Sequence, residues 1–137
     1  MAKLIRSFAS GITVSPALIG CIVYESDQGE VSLATSASSE PLGVIANITQ
    51  DGRAIIAGAG EFAHVMLSED FEYSDSKLFT ATTGGKAAVF SAATGAVASL
   101  GAAWTVGSVV LPTADKGASG SMQECFICPM PHATIAS

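Results

Sequence analysis

Charge and histidine are scarce in this chain. Of its 137 residues, 13% are Asp, Glu, Lys or Arg, and two are histidine. Enzymes need ionisable groups that converge on a reacting atom, and little here can converge, so no catalytic activity is expected. Lys and Arg number six, scattered, with none between Arg6 and Arg53, and the net charge is −6. Nucleic acid is held by clustered cations that release counterions, so a nucleic-acid partner is not expected. Cysteine is limited to Cys21, Cys125 and Cys128. An odd number excludes a complete disulfide framework and points to a reducing compartment.

Long apolar runs are missing as well. Leu18-Ile19-Gly20-Cys21 looks like a lipobox behind the basic Lys3 and Arg6, but Ser7, Ser10, Gly11, Thr13, Ser15 and Pro16 break the stretch between. A signal peptide rests on an apolar block that this segment does not supply. Residues 87–114 carry no charge, yet Ser91, Thr94, Gly95, Ser99, Gly101, Thr105, Gly107 and Ser108 interrupt them. A membrane span needs ~20 predominantly apolar residues, so buried strands joined by small-residue loops are the expectation, and no membrane partner.

What the chain does have is short β-type runs punctuated by glycine: Gly20-Cys-Ile-Val-Tyr24, Gly29-Glu-Val-Ser-Leu-Ala34, Leu42-Gly-Val-Ile-Ala46 and Arg53-Ala-Ile-Ile-Ala57. Strands are expected at residues 19–24, 30–34, 42–49, 54–57, 61–67, 77–81, 86–90, 106–111 and 124–128. Asp51-Gly52 is the cleanest hairpin signal, because that pair tolerates the positive φ of tight turns. Thr82-Thr-Gly-Gly85 is a second hairpin turn. Residues 92–103 favour helix by alanine content, but Gly95 and Gly101 each cost ~1 kcal/mol there, and a loop with a short strand is expected. The acidic run Glu69-Asp-Phe-Glu-Tyr-Ser-Asp75 reads as a solvated loop. Eight to ten short strands imply an all-β, single-domain sandwich or barrel-like fold spanning residues 18–137. Residues 1–17 are expected to form an extended N-terminal arm, since Ile12 and Val14 alternate with Thr13 and Ser15 ahead of Pro16.

Four constellations deserve weighing as chemistry. Cys125-Phe-Ile-Cys128 with His132, and Cys21 as a fourth ligand, has metal-like spacing. Within a strand, however, residues three apart point to opposite faces, and Phe-Ile is a poor turn. His64 has no obvious nucleophile beside it, and no Gly-x-Ser-x-Gly elbow exists. Gly117-Ala-Ser-Gly-Ser121 is not followed by a P-loop lysine. Glu69, Asp70, Glu72 and Asp75 could face a hard cation, but the twelve-residue EF-hand pattern is missing. Neither a metal nor a cofactor is expected.

The order of the pieces resembles the phage capsid cement, or head-decoration, family. The matching elements are Gly20-Cys-Ile-Val23, Gly29-Glu-Val-Ser-Leu-Ala34, Pro41-Leu-Gly-Val44, Lys77-Leu-Phe79 with Gly85-Lys-Ala87, and Val106-Gly107, together covering about residues 18–111. They are turn signatures and not catalytic fingerprints. The Cys-Phe-Ile-Cys-Pro-Met-Pro-His stretch and the N-terminal segment depart from the family pattern. The resemblance implies a β-tulip-like fold and a virion protein, made in the host cytoplasm, on the outer capsid surface. Its partners would be the major capsid protein and itself, often as a homotrimer. Under that reading Lys3, Leu4, Ile5, Arg6, Phe8, Ile12 and Val14 are candidate capsid contacts, two cations and alternating apolars that could add a strand to a neighbour. Phe71 and Tyr73 are candidate oligomer contacts, because aromatics concentrate in interface cores. The alternative is a secreted or lipid-anchored β-domain that binds a surface ligand, and a small metalloprotein stands third.

Overall fold

A computed structural model describes residues 3–35, 40–72, 78–89, 102–110 and 116–133. The protein is all-β, built from a closed barrel and a second sheet. Five strands make the barrel: β1 (Leu4–Phe8), β2 (Ile22–Asp27), β3 (Glu30–Leu33), β4 (Gly43–Ile48) and β5 (Ala54–Ala57). Their order around it is β1-β3-β2-β4-β5, closed by β5 on β1. The second sheet holds β6 (Phe62–Met66), β8 (Leu78–Ala81), β9 (Ala87–Val89), β10 (Ala102–Val109) and β12 (Met122–Ala133) in the order β6-β12-β10-β8-β9. A small ribbon pairs β7 (Phe71–Glu72) with β11 (Lys116–Gly117).

The glycine-bounded apolar runs form strands because three of them must bury both faces. Successive side chains on a strand point to opposite sides. In β2 and the residue before it, Cys21 and Val23 enter the barrel core while Ile22 enters the core shared with the second sheet. Ile45 and Val44 divide in the same way on β4, and Ile56 and Ala57 on β5. A strand with two apolar faces reads as a continuous hydrophobic run without polar alternation. The shared core is completed from the second sheet by Val65, Phe79, Val106, Cys125 and Ile127, all fully buried.

Glycine matters most at two joins. The β4–β5 hairpin turns through Gln50-Asp51-Gly52, where Gly52 has φ +82° and its N–H donates to Thr49 O at 3.0 Å. The Thr49 hydroxyl binds the Asp51 carboxylate and accepts from Arg53 N–H at 2.9 Å, which ties the loop shut. At the tip between β8 and β9, Gly85 has φ +79°, and its N–H donates to Ala34 O at 2.7 Å. A Cβ there would stand 2.7 Å from Ile22 O, so only glycine lets this hairpin rest on the barrel.

Three expectations need correction. The first half of the expected N-terminal arm is a barrel strand: β1 pairs in parallel with β3 and antiparallel with β5, with Leu4 opposite Ile56 and Phe8 opposite Val31. The alternation that suggested a strand for a neighbour is satisfied within the chain. Part of the expected acidic loop is also paired, through β7 and β11, and Asp70 Oδ1 accepts from Ser119 N–H at 2.7 Å. Finally, the strand expected at 124–128 runs on to Ala133 through Pro129 and Pro131. Proline removes a ladder donor and is confined to edges. The two prolines are two residues apart, so their nitrogens face the same side, and β6 accompanies β12 only between Met122 and Phe126. Gly60 and Glu61 carry the pairing on to Ile127, and beyond Ile127 that flank has no strand beside it among the described residues.

Candidate interaction surfaces

The first surface is the outer wall of the barrel at β1 and β5. Along β1, burial alternates: Leu4, Arg6 and Phe8 are partly buried, whereas Lys3, Ile5 and Ser7 are exposed. Leu4 and Phe8 pack on the barrel core. Arg6 lies between them on the inward face; its Nε is buried without a hydrogen-bond partner, 3.8 Å from Glu25 Oε2, and Nη1 donates to Ile5 O at 3.1 Å. Outside, Ile5 is 47% exposed and stands opposite Ile55. Around this apolar pair lie Lys3, 3.9 Å from Glu61, and Arg53, whose Nε donates to Asp51 Oδ2 at 3.0 Å.

The Asp51 carboxyl is held below its ordinary value, first by the Thr49 hydroxyl and then by the Arg53 charge. A depressed pKa means that this contribution to stability is present above the ordinary carboxylate range and is lost as pH falls through the folded value.

Of the seven residues assigned to capsid contact from sequence, Lys3, Ile5 and Val14 face solvent, Ile12 is half-buried, and Leu4, Arg6 and Phe8 belong to the barrel. Val14 lines a shallow recess of about 320 Å³ with Pro16, Ile19 and Ile48. Of the two expected oligomer contacts, Phe71 lies on β7 and Tyr73 is outside the described residues.

The second surface was not anticipated. It is the outer face of the second sheet. On β12, Gln123, Cys125 and Ile127 are buried, while Met122, Glu124, Phe126 and Cys128 turn the other way. An extra residue in β12 between Ile127 and Met130 then breaks the alternation, and Met130 stands opposite the buried Thr105. On β6, Ala63 and Val65 are buried and Phe62, His64 and Met66 turn outward. Register aligns Met66 with Met122, His64 with Glu124 and Phe62 with Phe126. The two phenyl rings lie 5.2 Å apart, tilted by 58°. Phe62 is 57% exposed and Met122 41%. The sequence signal for this face was the same absence of polar alternation that marks a two-sided strand, and it was masked by the metal-like spacing of the cysteines.

The cysteines occupy separate environments. Cys21 is buried in the barrel, Cys125 in the shared core, and Cys128 is exposed on the opposite side of β12. Burial pushes the Cys125 thiol up to about 12 and raises Cys21, with the nearby Lys86 charge opposing the latter shift. Among the described residues no three His, Cys, Asp or Glu side chains gather as a metal site. Because the thiolate is the reactive form, dilute native protein should take up one maleimide, at Cys128, and urea-unfolded protein three. Intact mass and peptide mapping check this; rapid native labelling of Cys21 or Cys125 would contradict their burial.

The chain matches no protein-family model and no curated protein.

Proposed function

We propose that the chain is a structural protein of a phage head, a decoration or cement protein that binds the outer capsid surface and stabilises the shell. The observation that carries this reading is the β1/β5 wall, where the exposed Ile5 and the half-buried Ile55 form an apolar pair rimmed by Lys3, Glu61, Arg53 and Asp51. An apolar centre with a charged rim is the anatomy of a protein–protein contact. The segments that resemble the cement family lie on or beside β2, β3 and β4 of the barrel and β8, β9 and β10 of the second sheet.

A protein that bridges neighbouring capsid subunits binds only the assembled lattice. It therefore stabilises that state by RT ln(1 + [L]/Kd), about 2.7 kcal/mol per site at a hundredfold excess over Kd. Co-sedimentation with undecorated particles tests the assignment. The full chain should bind and raise the temperature of DNA release, and Ile5→Asp should lower affinity about tenfold while leaving the melting transition in place. Absence of binding by the unmodified chain would defeat the reading; equal binding by Ile5→Asp would remove the wall from it.

A further inference from the structure

We propose that the outer face of the second sheet is a self-association surface, on which two copies of this chain pack sheet against sheet. The proposal uses none of the residues assigned to the capsid and stands or falls separately.

The first argument is composition. Phe62, Phe126 and Met122 cluster on one face with Cys128 beside them, and Phe62 and Met122 are each more than 40% exposed. Aromatic residues and methionine are the types that interface cores concentrate. Contiguous exposed apolar patches on a soluble chain mark contact sites.

Charge selects the occupant. Two copies of a chain with net charge −6 repel wherever their acidic surfaces meet. The second sheet is the exception: its five strands contain no Lys, Arg or Asp, and their only acidic or basic residues are Glu124, His64 and His132. Glu124 and His64 are register partners on neighbouring strands. A two-fold axis through this row places the histidine of each copy over the glutamate of the other. That is the self-complementarity an isologous contact requires.

The edges leave face-to-face packing as the available geometry. Met66 N–H, on the free side of β6, already donates to Gly20 O at 2.9 Å. At the β9 margin, Ala87 O accepts from Ser68 N–H at 2.9 Å and forms an isolated parallel bridge with Leu67. The remaining flank of β12 lacks two donors at Pro129 and Pro131, which blocks strand addition. Aligned sheets packing face to face separate by about 10 Å, a gap that phenyl and thioether side chains fill.

Analytical ultracentrifugation of the full chain across a concentration series tests the proposal. A monomer–dimer equilibrium is expected, with the dissociation constant raised at least tenfold by Phe62→Lys. Phe62 is exposed, so the variant should keep the far-UV spectrum and melting transition of the parent. As a second reading, Cys128 should react with maleimide more slowly in concentrated parent protein than in Phe62→Lys at the same concentration. A monomer at every concentration, a trimeric mass, or a dimer indifferent to Phe62→Lys would overturn it. Because particle binding is read with Ile5→Asp, failure of this contact leaves the capsid reading intact, and the reverse also holds.

Discussion

Deletion of residues 2–8 is expected to leave a chain with no cooperative thermal transition. Had the N-terminal segment been an arm, its removal would have weakened docking and spared the domain. As β1 it closes the barrel, so its loss opens the pairing with both β3 and β5. Ser7 N–H would no longer reach Gly29 O, at 3.0 Å, and Val31 and Ile56 would lose part of their cover. Burying one large aliphatic or aromatic side chain is worth roughly 1.5–3 kcal/mol, and Leu4 and Phe8 both go. Two newly unpaired strand edges add to this. A domain holds about 5–15 kcal/mol in total, so the deletion removes a large share of it. Far-UV circular dichroism with temperature decides: a sharp transition within a few degrees of the full chain would restore the arm.

Gly107→Ala should be the most damaging single methyl that can be added to the second sheet. A Cβ at Gly107 would overlap the Phe126 carbonyl oxygen on β12, and would lie 2.9 Å from the Phe126 carbonyl carbon and 3.0 Å from Cys125 Sγ. The obstruction is mainly backbone, which cannot rotate away, and the register already shifts between Thr105 and Gly107. Separating β10 from β12 should cost about 3 kcal/mol or more, at the upper end of overpacking. Gly29→Ala is the control. It has φ +76° with nothing within 4 Å of the added carbon, so it carries only the left-handed penalty of about 1–2 kcal/mol. Urea midpoints should therefore fall further for Gly107→Ala, and equal midpoints would refute the close approach of the two strands.

Local features were legible in the sequence; partners were not. The turn at Asp51-Gly52, the hairpin over Thr82–Gly85 and the strand at 54–57 appear where expected, because glycine at positive φ and β-branched residues are local signals. The destination of β1 depends on residues near positions 30 and 55, and no pattern within residues 1–17 encodes that pairing. β12 runs well past the strand expected at 124–128, through Pro129 and Pro131, because a proline is tolerated where its nitrogen needs no ladder partner, and that depends on the neighbouring strands. Of the expected contact residues, Ile5 survives as a surface residue by parity along β1. Phe62 and Phe126 could not be joined beforehand, since the register between them is a property of the assembled sheet.

The shared walls at Ile22, Val44 and Ala57 bear on how the chain reaches this state. A nascent chain emerging N-terminus first can close its barrel once β5 appears. It then holds a water-exposed apolar flank until β8, β10 and β12 arrive to cover it. β6 waits longest, because its ladder partner is the last long strand made. Such non-local pairing is slow, typically milliseconds to seconds, and keeps sticky surface open meanwhile. A ribosome stalled before residue 122 should therefore present a chain that recruits chaperones, and release of Met122–Ala133 should end that demand in one cooperative step.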